Sequence, residues 1–215
     1  MAPGRRALFR LVCAAAVSAV ACAARAGSYD DFFRAVRGND ARTVQSLLER
    51  GFDPNSPDEK GNVGLFLAMR DGAPEVAAVL LARPELKVDA ANTAGETPLM
   101  MAALRGQLVW VERLIARGAA VNRDGWTPLH YAASGPEPRV VALLLDRGAA
   151  IDARSPNRTT PLMMAAGYGA IDSADLLLAR GADARARNDP GLSAADFARR
   201  AGRAALAARL DAAVR

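Results

Sequence analysis

Three stretches of the chain repeat one another closely enough to dictate a modular fold. They are Gly95-Glu96-Thr97-Pro98-Leu99-Met100-Met101-Ala102-Ala103, Gly125-Trp126-Thr127-Pro128-Leu129-His130-Tyr131-Ala132-Ala133 and Arg158-Thr159-Thr160-Pro161-Leu162-Met163-Met164-Ala165-Ala166. Each leads into a leucine-rich stretch that closes on glycine, at Gly118, Gly148 and Gly181. Equivalent positions at 61, 95, 125, 158 and 191 lie 34, 30, 33 and 33 residues apart, all glycine except Arg158. A period of this length marks stacked units, none of which can bury its apolar face alone.

The chemistry of one unit explains its shape. Thr supplies a hydroxyl that caps a helix start, and Pro at the first helical position loses no hydrogen bond it could have made. Leu-x-x-Ala-Ala then gives a short helix with a narrow alanine face. A second helix carries apolar residues at helical spacing, as at Val140, Val141, Leu144 and Leu145. The glycine after it suits a left-handed helix stop, and a polar finger such as Asp152 to Arg158 leads to the next unit.

This pattern resembles the ankyrin repeat, through Thr127-Pro128-Leu129-His130 and Gly181-Ala182-Asp183. The resemblance covers about residues 28 to 211 and implies an all-α solenoid of helix-turn-helix units joined by hairpin-like fingers. Six units are expected: a cap at about 28–57, inner repeats at about 58–91, 92–122, 123–154 and 155–187, and a second cap at 188–215. The first cap lacks the Thr-Pro start, and the last places Arg199, Arg200, Arg203 and Arg209 at its outer positions.

Residues 1–26 read as an address rather than as fold. Arg5, Arg6 and Arg10 precede an apolar run of 14 residues, Leu11 to Ala24, and Ala24-Arg25-Ala26 offers a small-residue cleavage site. The run is short of the roughly 20 residues a membrane-spanning helix needs, so a cleaved secretory signal is expected. The alternative is a lipoprotein site at Ala19-Val20-Ala21-Cys22, with Cys22 lipidated. Both cysteines, Cys13 and Cys22, fall in this segment, so the remainder has neither disulfide nor thiolate metal site. The segment also holds four of the 28 basic residues and none of the 23 acids, which leaves 24 against 23 in the remainder. A near-neutral chain gives no reason to expect nucleic acid as partner. Its alanine- and arginine-rich composition suggests a bacterial source.

Departures from the repeat are the candidates for function. The first inner repeat has Val63-Gly64-Leu65-Phe66 in place of Thr-Pro-Leu-His, which reads as a looser unit beside the cap. More telling is the third finger. Asn122 to Gly125 spans three residues, where Asn55 to Gly61 and Asp89 to Gly95 span six. The shortening leaves a notch lined by Arg123, Asp124 and Trp126, with Trp126 at a position that the resemblance turns toward the concave face. Glu96, Arg105, Asn157, Arg158 and Tyr168 extend that strip across neighbouring repeats, and an aromatic beside an arginine is what binding hot spots contain. Trp126 folding down over the notch is the competing reading. Trp110, by contrast, is expected in the core between second helices.

The only histidine, His130, stands in the Thr-Pro-Leu-His box, where the resemblance gives it a structural hydrogen-bonding role. No nucleophile, phosphate loop or metal-spaced cluster accompanies it. The expectation is therefore a monomeric, exported, non-enzymatic scaffold without cofactor, in the periplasm or secreted, that binds a protein. The alternatives are an effector that engages host proteins, and an enzyme with an unrecognised site.

Overall fold

The computed structural model describes residues 27–214, so the proposed cleavage and lipidation sites lie outside the described residues. Among those described, the chain forms twelve helices, with no strand beyond one isolated bridge between Pro57 and Val63. Helix α1 covers residues 27–37 and α2 Ala41–Glu49. There follow α3 (Gly64–Asp71), α4 (Pro74–Leu81), α5 (Pro98–Leu104), α6 (Leu108–Ala116), α7 (Pro128–Ser134) and α8 (Pro138–Asp146). The last four are α9 (Pro161–Gly167), α10 (Ile171–Ala179), α11 (Ala194–Arg200) and α12 (Ala204–Ala212).

The helices stack in two layers. First helices pack in the series α3, α5, α7, α9, α11, while α2 touches α4 and α8 lies between α6 and α10. One position per repeat fills the seam: Leu65, Leu99, Leu129 and Leu162 in the first layer, Leu80, Leu114, Leu144, Leu177 and Leu210 in the second, all essentially inaccessible. Burying each such leucine is worth about 1.5–3 kcal/mol. The alanine face lets first helices approach closely. At Gly169, just after α9, a single added Cβ would lie 1.8 Å from the Ala133 carbonyl oxygen, so no side chain fits there.

Helix ends follow the sequence chemistry. Thr97 and Thr160 accept from the backbone N–H groups of Met100 and Met163 at 3.3 and 3.4 Å. In the last unit Ser193 and Asp196 cap reciprocally, with Asp196 accepting from the Ser193 N–H at 2.9 Å. Val63 offers α3 no such bond. Carbonyls at first-helix ends are met from the next unit: Gln107 donates to Met69 O at 3.0 Å, and Arg203 to Ala165 O at 3.0 Å. Arg203 is thus not an outward solvating charge, as its place in the sequence suggested. Its stem is long enough to carry the guanidinium back to the Ala165 and Ala166 carbonyls at the end of α9.

Two ladders of short polar side chains tie the fingers. In the first, Asn55, Asp89, Asn122 and Asp152 each accept from a backbone N–H one unit further on: Lys87 at 2.7 Å, Ala120 at 3.0 Å, Ala150 at 2.8 Å and Asp183 at 2.9 Å. In the second, Asp58, Asn92, Ser155 and Asn188 close their own fingers by accepting from Asn62, Glu96, Thr159 and Leu192 N–H groups at 2.8, 2.9, 3.0 and 2.9 Å. Among the described residues the third finger has no rung in this second ladder, because the three residues it lacks would carry it.

Trp110 departs from its expected core position. The same place in neighbouring second helices is held by Val76, Val140 and Ser173, all fully buried, and an indole is too large for that slot. Trp110 packs against the core only in part, and the Arg113 guanidinium lies over its ring, 4.9 Å from the centroid. Such a pairing rests the charged head on the negative face of the ring while Arg113 stays exposed to water.

Candidate partner-binding surface

The shortened finger uncovers the first-helix surface beneath it. Two adjoining hollows of about 280 and 320 Å³ open there, with Trp126, Ser134 and Met164 lining both. Leu104, His130 and Tyr131 complete the first, and Asn157, Thr159, Tyr168 and Phe197 the second. Small residues make the floor possible. Ser134 and Gly167 fall where α5 has Leu104 and α11 has Arg200, so the middle repeats carry less bulk at this place than the repeats beside them.

Three of the lining residues, Tyr131, Met164 and Phe197, come from a single repeat position. Leu67, Met101, Tyr131, Met164 and Phe197 are equivalent residues of successive first helices. Leu67 and Met101 are buried, whereas Tyr131, Met164 and Phe197 are half-buried. The apolar surface therefore widens from the third inner repeat onward, in register with the shortened finger.

Trp126 is half-buried, with its ring edge-on to His130 at 5.2 Å between centroids. It forms a wall of the hollow rather than a projecting anchor. Tyr168 is 65% exposed at the end of α9, and its ring meets Phe197 edge-on at 6.4 Å. Arg123 and Asp124 in the third finger, Arg105 after α5, and Asn157 and Arg158 in the fourth finger are all exposed. Glu96 stands apart: it is half-buried, accepting from the Tyr131 hydroxyl at 2.9 Å and from Asn92 Nδ2 at 2.9 Å. Its carboxylate braces the joint between two repeats.

Tyr131, Ser134, Met164 and Phe197 were missed as site residues by sequence reasoning. They sit in the helical rhythm and read as core. Their signal was the absence of bulk at Ser134 and Gly167 beside them, which leaves apolar side chains without a neighbour to cover them.

His130 is fully buried. Its Nδ1 lies 3.2 Å from the Thr127 backbone N–H and 2.9 Å from the Thr127 hydroxyl, and Nε2 lies 2.9 Å from the Thr159 carbonyl oxygen. A backbone N–H can only donate and a carbonyl only accept, so the neutral ring carries its proton on Nε2. Burial pushes the ring's pKa down, and its bond to the Thr159 carbonyl opposes that in part. This ring caps α7 and ties it to the next repeat. Among the described residues, no group of three or more His, Cys, Asp or Glu side chains is placed to hold a metal ion. No described helix is long and apolar enough to cross a membrane.

A family model described as ankyrin repeats in three copies matches residues 32–124 and 105–188. The chain is 31% identical to a putative palmitoyltransferase, ZDHHC13, of Danio rerio over 167 residues, 76% of this chain and 21% of that protein. It is 40% identical over 85 residues to neurogenic locus notch homolog protein 4 of Homo sapiens, 40% of this chain and 4% of that protein. NF-kappa-B inhibitor alpha of Mus musculus is 37% identical over 93 residues, 41% of this chain and 30% of that protein. The chain spans less than a third of each of these relatives, and the shared part is the repeat stack, a module that mediates protein–protein interaction. On the matched repeats, their fingers and their two-layer stack, the chain belongs to the ankyrin-repeat family.

Proposed function

We propose that this chain is an exported, monomeric scaffold that holds a partner protein against the hollow around Trp126. The observation that carries the reading is the row of Tyr131, Met164 and Phe197 left half-covered beneath a shortened finger, with exposed Tyr168 at its edge. Aromatic and thioether side chains that water can reach cost free energy until something covers them, and such residues dominate binding energy in interfaces. Arg105, Arg123, Asp124, Asn157 and Arg158 form the polar rim around that apolar centre. The inhibitory role in the name of NF-kappa-B inhibitor alpha belongs to a relative that meets another protein, which supports the binding class but not the partner. Export rests on the basic and apolar segment before residue 27. It suggests a periplasmic or secreted location, with an exported enzyme as one kind of partner.

The test is affinity capture with the full chain, tagged at its C-terminus, beside Tyr168→Ala and Arg123→Ala. Loss of the same captured protein in Tyr168→Ala, at an unchanged melting temperature, supports the site. Equal capture by all three sinks it. Cell fractionation decides the location independently: retention of an unprocessed chain in the cytoplasm would refute export.

A further inference from the structure

The repeat that carries the shortened finger and Trp126 is also the one that carries the chain's only histidine. At the same place in the two flanking repeats stand Met100 and Met163. Met100 shows what the position does without a titrating group: its Sδ accepts from the Thr97 backbone N–H at 3.4 Å, the role His130 Nδ1 plays for Thr127 at 3.2 Å. In the last unit Asp196 does it with a carboxylate, at 2.9 Å from the Ser193 N–H. Among the inner repeats the third alone does it with a titrating group, and of the two groups only the ring gains a charge on taking up a proton.

We propose that His130 makes this repeat an acid-sensitive latch, so that protonating the ring unlocks α7 and collapses the wall of the hollow that Trp126 forms. The geometry gives the reason. A proton on Nδ1 removes the acceptor that the Thr127 N–H uses. The Thr127 hydroxyl, 2.9 Å away, can turn to accept from the new N–H, but the backbone N–H of a residue only 2% exposed is then left without a partner. The charge itself sits where no counter-ion reaches it. Helices α5 and α9, which flank α7, carry no titratable side chain. On α7 the only other is Tyr131, whose hydroxyl is held by Glu96. On α8, Arg139 pairs with Glu137 at 2.8 Å, and Asp146 pairs with Arg180. Arg123, Asp124, Arg154 and Arg158 in the neighbouring fingers are exposed and make no hydrogen bond to the ring. A buried imidazolium with no carboxylate facing it is disfavoured until the repeat opens.

Two contacts then fail together. The Nε2 bond to Thr159 crosses to the fourth repeat, and the edge-on contact to Trp126 reaches the hollow. Release of an occupant on acidification rests on the binding reading above; the latch itself does not.

Amide hydrogen exchange on the full chain tests it without any partner, read as protection factors in α7 and compared with α3, between pH 7.5 and 5. One proton taken up on opening lowers α7 protection by up to tenfold per pH unit below the ordinary histidine range. His130→Met borrows the solution of the neighbouring repeats and is expected to keep α7 protection flat across that range. Equal pH dependence in the two proteins overturns the proposal, as does a wild-type protein that holds α7 unchanged down to pH 5. Should His130→Met fail to fold, Trp126 fluorescence of Trp110→Phe supplies the readout. A transition above pH 5 supports the latch, and one that appears only where carboxylates titrate refutes it. A latch that works in a chain that captures nothing would leave the binding reading wrong and the switch intact.

Discussion

The Tyr131 hydroxyl donates to the Glu96 carboxylate across the joint between the second and third inner repeats, Oη to Oε1 2.9 Å. Burial first, and this bond second, hold the phenol well above its ordinary pKa of 10.0. Removing the negative charge with Glu96→Gln is expected to bring the Tyr131 titration down toward ordinary tyrosine, though not all the way, because burial remains. Ultraviolet titration of the phenolate checks this; an unmoved midpoint would leave Glu96 with no hold on the ring. Tyr131→Phe is expected to cost about 1.5 kcal/mol, the low end for a bond to a charged group because water reaches part of the pair.

Arg158 has a left-handed backbone, φ +61°, at the finger position where Gly61, Gly95, Gly125 and Gly191 stand with φ of +76° to +78°. A side chain there costs roughly 1 kcal/mol that glycine avoids. Arg158→Gly is therefore expected to raise stability by about that amount in denaturant melts, since the side chain is exposed. A drop would mean that its guanidinium holds the fourth finger in a way the structure does not display.

Ser173 is fully buried on α10 and its hydroxyl has no hydrogen-bond partner. Ser173→Ala removes a polar atom that folding strips of water, and a gain of up to about 1 kcal/mol is expected. Thermal melts at neutral pH decide it, and a clear loss would count against the unpartnered hydroxyl.

Trp126 and Tyr168 separate scaffold from surface. Trp126→Ala removes a half-buried ring from beside His130 and is expected to cost about 1–2 kcal/mol, less than the cost of emptying a full core site. Tyr168→Ala, at 65% exposure, is expected to shift stability by no more than about 0.5 kcal/mol. A binding defect in the second variant is then clean evidence of contact, whereas in the first it is mixed with unfolding.

The repeat register was legible because it is written in backbone chemistry. Thr97 and Thr160 cap, Pro98, Pro128 and Pro161 start helices, and the left-handed finger position persists even where Arg158 replaces glycine. The shortened third finger was legible too, from spacing alone. What periodicity does not carry is how much cover each side chain receives. Trp110 has the spacing of a core residue yet outgrows its slot, and Phe197 reads as core until Gly167 beside it proves too small to shield it. Arg203 follows the same logic in reverse, since its burial depends on carbonyls in another repeat.

Each rung from Asn55, Asp89, Asn122 and Asp152 reaches forward by one unit and no further. The bond that fixes the spacing of a repeat is thus supplied by the repeat before it and owes nothing to the length of the chain. A duplicated inner unit would arrive with its own rung and find a waiting amide, so the stack can grow in the middle without redesign of either cap. Loss of a finger segment, as in the third repeat, spares this rung at Asn122 and sacrifices only the tip. Growth and trimming of the chain are in this way confined to separate parts of each unit.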